Sequence, residues 1–250
     1  MLQAIKPAAL RHFTKLAALD LFVYLCKTNH FMRTSRYLLP LLSALLLLMA
    51  GTYPPDAVEQ SIEKDLPWLL EFYKARHQQP EISLQESLTA RALADELRKA
   101  GFEVTEEFGG HGIVGILKNG DGPTILYRTD MDALPMEEKT GLPWASTRQI
   151  EYNGKQTGVM HSCGHDMHMT AWLGTARAMA RHRQQWKGTL MLVGQPAEEI
   201  GAGARMMLQE GLYERFGVPD YGIGLHCSPT IRAGQIGIDH GYTMANAEMI

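Results

Sequence analysis

The sequence predicts an α/β fold, a mixed sheet flanked by helices, from three observations. Short apolar runs alternate with segments of helical period from residue 54 onward. Clusters of Asp, Glu and His fall where those runs end, which is the edge at which open α/β sheets gather their sites. The 250 residues are 45% hydrophobic and 20% charged, enough apolar material for one substantial core.

The elements follow in order. Pro54-Pro55-Asp56 opens a helix in which Ile62, Leu66, Leu69, Leu70 and Tyr73 recur at helical spacing, with Pro67 expected at a kink or a helix start. A second helix is expected from Ser87 to Ala100, with Leu93 and Leu97 inward and Gly101 as its stop. Residues 102–105 and 112–117 read as strands, and Asn119-Gly120-Asp121-Gly122 as the turn of a hairpin leading into residues 123–127. That last run is a buried strand delivering Asp130 and Asp132. Residues 167–181 are helical, and 189–193 form another buried strand, delivering Glu198 and Glu199. A helix over 202–210 stops at Gly211, and a further buried strand over 221–225 ends in His226.

Charge separates the chain into unlike parts. Residues 1–36 carry a balance of +5 and the remainder −8, so the main body is acidic and has no basic stripe to bind nucleic acid. Arg33 and Arg36 after Met32, the apolar run Tyr37 to Gly51 and then Thr52-Tyr53-Pro54-Pro55 describe a signal peptide over residues 32–51. The run is short beside the roughly 20 apolar residues of a membrane span, though an uncleaved anchor is the alternative. Secretion or export to a periplasm is the expected localisation, and cleavage would follow Ala50, Gly51 or Ala57. Residues 1–31 read as an upstream extension. Three cysteines are too few and too unevenly placed for a disulfide framework.

The chemistry-bearing residues come from separate segments. In Cys163-Gly164-His165, residues two apart on extended backbone project to one side, so thiolate and imidazole reach one metal region. An isolated Cys-x-His is more often packing, but His161, His165 and His168 crowd this loop. Glu198 and Glu199, adjacent on extended backbone, should point to opposite sides, one toward a metal and one toward the substrate as general base. Asp130 and Asp132 share a face by the same period, so one of them could bind or orient metal ligands, although Asp-x-Asp at a strand end is also common in simple turns. His161 and His168 fit supporting donors better than ligands. His226 alone would be an ordinary core histidine; its place after a strand raises it. His77, His111, His182 and His240 have no sequence neighbours that suggest a role.

Four of these stretches resemble the motifs of a known family. Tyr127-Arg128-Thr129-Asp130-Met131-Asp132, His161-Ser162-Cys163-Gly164-His165-Asp166-Met167-His168, Gln195-Pro196-Ala197-Glu198-Glu199 and Gly224-Leu225-His226 are similar to those of metal-dependent amidohydrolases. That group includes hippurate hydrolase and the plant indole-acetyl-amino-acid hydrolases, within the larger aminoacylase/carboxypeptidase family. The similarity covers residues 54–250. It implies a di-metal aminopeptidase/carboxypeptidase-like catalytic domain over residues 54–244, with 245–250 opening a lid domain. It implies two divalent ions (zinc, manganese, cobalt or nickel) and hydrolysis of the amide bond of N-acyl amino acids by metal-activated water. Position by position, Cys163, His165, Glu199 and His226 match the family's ligands. Glu198 matches its general base, and Asp132 the aspartate associated with its metals. Full-length relatives are longer, homo-oligomeric through the lid, and carry a late histidine that this chain lacks, so a fragment is expected. The alternatives are an inactive remnant that binds metal or a partner, and a dipeptidase.

Overall fold

A computed structural model describes residues 56–238; the signal segment read at 32–51 and the strand start read at 245–250 lie outside the described residues. Helix α1 spans Ala57–Gln78 and α2 Ser87–Lys99. Strands β1 (Glu103–Thr105), β2 (Ile113–Asn119) and β3 (Thr124–Asp130) follow, then a small hairpin of β4 (Gln149–Tyr152) and β5 (Lys155–Gly158). Helix α3 (His165–Arg181) leads to β6 (Gly188–Gln195), two short helices α4 (Gly203–Gln209) and α5 (Leu212–Phe216), and β7 (Tyr221–Gly224). No helix among the described residues is long and apolar enough to cross a membrane.

Helix α1 starts where Asp56 Oδ1 accepts the backbone N–H groups of Val58 and Glu59, filling orphan donors of the first turn. It continues through Pro67, so that residue does not mark a helix start. Leu93 and Leu97 of α2 are fully buried, as their spacing requires.

The main sheet runs β1-β2-β6-β3-β7. Alternation along β6 divides its side chains between two cores. Leu190 and Leu192 join Leu93 and Leu97 of α2 and Trp172, Leu173 and Ala176 of α3 on one face. Met191 and Val193 join Phe108, Met207 of α4 and Leu212 of α5 on the other. Each such side chain contributes roughly 1.5–3 kcal/mol by leaving water. Trp172 satisfies its one polar atom by donating Nε1–H to the Tyr127 carbonyl at 2.9 Å.

Two expectations are corrected here. The turn at residues 119–122 does not join sheet neighbours, because β6 inserts between β2 and β3, pairing antiparallel with β2 and parallel with β3. A local turn signal carries no information about a strand seventy residues away. Strand β7 is also not buried: all four of its residues are exposed, since among the described residues it pairs with β3 alone and holds the sheet edge. The hairpin β4–β5 went unread although Asn153-Gly154, both at positive φ (52° and 74°), is a strong hairpin turn signal.

The topology places the site. Strands β3, β6 and β7 are mutually parallel, so their carboxyl ends lie along one edge, with Asp130 in register with Gln195 and Arg128 with Gly224. The segments bearing Asp130 and Asp132, Glu198 and Glu199, and His226 therefore leave the sheet together.

Candidate metal centre

His165 is the hub. It is fully buried as the first residue of α3, and its two ring nitrogens face different acids. Nδ1 lies 3.4 Å from Asp132 Oδ1. Nε2 lies 3.6 Å from Asp130 Oδ2 and 3.7 Å from both Glu198 Oε2 and Glu199 Oε1. These are ion-pair separations rather than hydrogen bonds. His165 Nδ1 and Nε2, Asp132 Oδ1 and Glu199 Oε1 are buried and have no hydrogen-bond partner among the described residues. Nδ1 and Asp132 Oδ1 face each other on one side of the ring, whereas Nε2 and Glu199 Oε1 face each other on the other, where a cation joining them would offset the cost of leaving both unpaired.

Cys163 and His226 complete the cluster. His226 donates Nδ1–H to the Cys227 carbonyl at 2.6 Å, which leaves the Nε2 lone pair free; that atom lies 3.4 Å from Cys163 Sγ. Donor atoms of Cys163, His165 and His226 lie within 4.8 Å of one another, and so do those of His165, Glu198 and Glu199. Thiolate, imidazole and carboxylate in this number suit zinc and its first-row neighbours. Asp130, His165 and His168 also meet that distance. Both nitrogens of His168 are engaged, however: Nδ1 with Asp130 Oδ1 at 2.7 Å and Nε2 accepting the Cys227 N–H at 2.8 Å. His168 is therefore a strut, as the sequence suggested, and His161 is buried with no hydrogen bond among the described residues.

Acidic crowding perturbs the cluster's proton affinities. Burial and the neighbouring Glu199 and Glu198 carboxylates push the Cys163 thiol up to about 12. Burial raises Glu199 as well. For Asp130, burial opposes ionisation but the His168 bond and the charges of His165 and Arg128 outweigh it, holding the group at about 2. The same contest, won by the Asp132 and Asp130 carboxylates over burial, raises His165. Burial drives His161 down to about 4.

The route by which the residues converge differs from the sequence reading. Cys163-Gly164-His165 is not extended: Gly164 adopts φ +80° and caps α3, and it is this reversal that brings Cys163 back beside His165. Glu198 and Glu199 do not diverge either. They occupy a turn that begins with Ala197 at φ +48°, and both carboxylates approach the same His165 nitrogen. Asp130 and Asp132 do share a face, gripping His165 from its two sides. Cys227 lies against Gly164, where an added Cβ would come within 3.2 Å of its Sγ.

Several supporting residues had no sequence signal. His77, near the end of α1, sits with Nδ1 2.6 Å from Asp166 Oδ2 and Nε2 3.0 Å from Glu138 Oε1. Burial lowers its proton affinity, but those two carboxylates more than compensate, so the proton affinity of the ring is raised. Ser83 Oγ donates to Asp132 Oδ2 at 2.6 Å, and the same oxygen takes the Glu199 N–H at 3.0 Å. Only the fold brings residues 77 and 83 to this edge.

Known proteins resemble this chain in sequence and fold. Residues 126–247 match the model of peptidase family M20/M25/M40. A hippurate hydrolase of Campylobacter jejuni is 41% identical over 182 residues, 71% of this chain and 45% of that protein. An N-acetyl-L-cysteine deacetylase of Bacillus subtilis is 40% identical over 170 residues, 68% of this chain and 38% of that one. The crystal structure of a dinuclear metal-binding peptidase of the M20 family from Bacillus subtilis superposes with a TM-score of 0.63 at 34% identity, covering 73% of this chain and 48% of that one. The chain spans under half the length of these curated relatives. Shared sequence and a shared sheet make one case: residues 126–247 carry a domain of peptidase family M20/M25/M40.

Proposed function

We propose that this chain contributes the metal centre of an amidohydrolase that cleaves N-acyl amino acids to a carboxylate and a free amino acid. The observation that carries the reading is the set of orphaned buried atoms on His165, Asp132 and Glu199, brought together from two strand ends and a helix start. In this reading Cys163, His165, Glu199 and His226 hold two divalent ions, zinc, manganese, cobalt or nickel. Ions bound there supply Lewis-acid polarisation of the amide carbonyl and make water more acidic.

The chain's own residues divide the remaining work. Asp132, 3.4 Å from Nδ1, orients His165 so that Nε2 faces the cluster. Glu198 takes the proton of the attacking water and returns it to the leaving nitrogen. Its side chain is 38% exposed against 16% for Glu199, which suits Glu198 to meet substrate and Glu199 to stay as a ligand. Hydrolase names among the relatives favour N-acyl amino acids as the substrate class.

The test is an assay of the chain on hippurate, N-acetyl amino acids and dipeptides with added manganese, cobalt or zinc. Turnover of the acyl amino acids, lost in Glu198→Gln while metal is retained, supports the reading. Preference for dipeptides makes it a dipeptidase, and metal bound without turnover makes it a binding protein. Failure to bind metal sinks the proposal. The sequence from Met32 to Gly51 also supports export, with a mature terminus between about Gly51 and Val58 that terminal sequencing would read.

A further inference from the structure

We propose that Glu86 is a positioning residue for Glu198 and Glu199; this rests on the reading above that those carboxylates serve the metal centre. Glu86 lies just before α2, is fully buried, and accepts the Ala197 backbone N–H on Oε1 at 2.7 Å. Ala197 is itself fully buried and holds φ +48°, a left-handed conformation that residues with a Cβ disfavour. This reversal comes directly between the end of β6 and the two glutamates. Extended backbone at Ala197 would carry Glu198 onward along β6; the left-handed turn carries it back over His165.

The turn is stitched at both ends. On one side the Ala197 carbonyl accepts from Ala202 and Gly203, each at 3.1 Å, tying it to the start of α4. On the other side the Glu86 carboxylate holds the Ala197 N–H. The segment carrying Glu86 reaches the second acidic segment too: Ser83 Oγ bonds Asp132, and the Glu81 carbonyl accepts the Ala133 N–H at 2.8 Å. Glu86 Oε2 has no partner among the described residues. A buried carboxyl with one oxygen unused disfavours the fold relative to a leucine of similar volume, so the bond made by the other oxygen is the feature that explains it.

The test uses cobalt with the full chain, following affinity and the visible d–d spectrum. Glu86→Gln offers an amide oxygen to the same N–H and is expected to bind cobalt within about threefold of wild type, whereas Glu86→Leu binds about tenfold more weakly with unchanged far-UV circular dichroism and an altered spectrum. Adding Ala197→Gly to Glu86→Leu is expected to recover part of the loss, because glycine takes a left-handed φ without strain. A folded Glu86→Leu chain whose affinity stays within about threefold of wild type overturns the proposal. Should Glu86→Leu not fold, hydrogen exchange in wild type and Glu86→Gln decides. The Ala197 amide is expected to exchange as slowly as β6 in both, and exchange at the rate of an exposed loop overturns the assignment. A wild-type chain that binds no cobalt overturns the metal-centre reading and this inference with it; equal binding by wild type and Glu86→Leu overturns this inference alone.

Discussion

His168 donates Nδ1–H to Asp130 Oδ1 at 2.7 Å, and its opposite nitrogen accepts the backbone N–H of Cys227 at 2.8 Å. One imidazole thus spans from the end of β3 to the segment that carries His226. Replacing it with phenylalanine keeps the ring's bulk but frees that segment. His168→Phe is expected to lower divalent-metal affinity by about 10–100-fold, read by competition with a chelator. Unchanged affinity would show that His226 is held by other means.

Gly164 gives a second, sharper prediction. At φ +80° a side chain is strained, and a Cβ there would lie 3.2 Å from Cys227 Sγ and 3.3 Å from its Cβ. Gly164→Ala is expected to destabilise the fold by about 1–2 kcal/mol. Because the strain falls between Cys163 and His165, metal affinity should fall as well, in contrast to a destabilising change elsewhere in the core. Urea unfolding and chelator competition on one sample separate the two effects.

Far from the metal cluster, Asp65 of α1 accepts from Arg177 Nε and Nη2 at 3.0 and 3.2 Å and from Arg181 Nη2 at 3.1 Å. The Arg177 hydrogen bond, opposed by burial and reinforced by Arg181, holds the carboxyl below its ordinary value. Because the folded carboxyl titrates below the unfolded one, its stabilisation is fully present above about pH 4 and is lost as pH falls through the folded value. Asp65→Asn is therefore expected to cost on the order of 1–2 kcal/mol at pH 7, with the gap to wild type closing below about pH 4. Thermal unfolding across that range checks it, and a gap that widens in acid refutes it.

Trp172 tests the core that carries α3. It has no exposed surface and bonds the Tyr127 carbonyl. Trp172→Ala is expected to cost about 3–5 kcal/mol in urea unfolding, while Trp172→Phe costs less and leaves metal binding near wild type once folded.

Much of this architecture was legible in sequence because it is local. Leu93 and Leu97 recur at helical spacing, Asp130 and Asp132 at strand spacing, and both pairs sit as those periods require. Glu199 and His226 stood out because they follow predicted strands, and Cys163 and His165 because they precede a predicted helix. What was illegible depends on long-range pairing or on backbone handedness. Strand β6 enters between β2 and β3, which no turn signal at residues 119–122 encodes. Left-handed Ala197 reorients Glu198 and Glu199, and an alanine gives no warning of it. His77 and Glu86 reach the site only after the chain has folded.

The exposed edge strand has a kinetic consequence for the site. Asp130, Asp132 and His165 are rooted in the buried interior, whereas His226 follows β7, whose residues are solvated and, among the described residues, paired on one side. Such a strand opens locally at little free-energy cost compared with the sheet centre. Where β7 frays, His226 would be released before the donors rooted in the buried interior. The lifetime of a bound ion would then be governed by fraying of this one strand, so a substitution that tightened β7 could slow metal release without altering any bond to the ion.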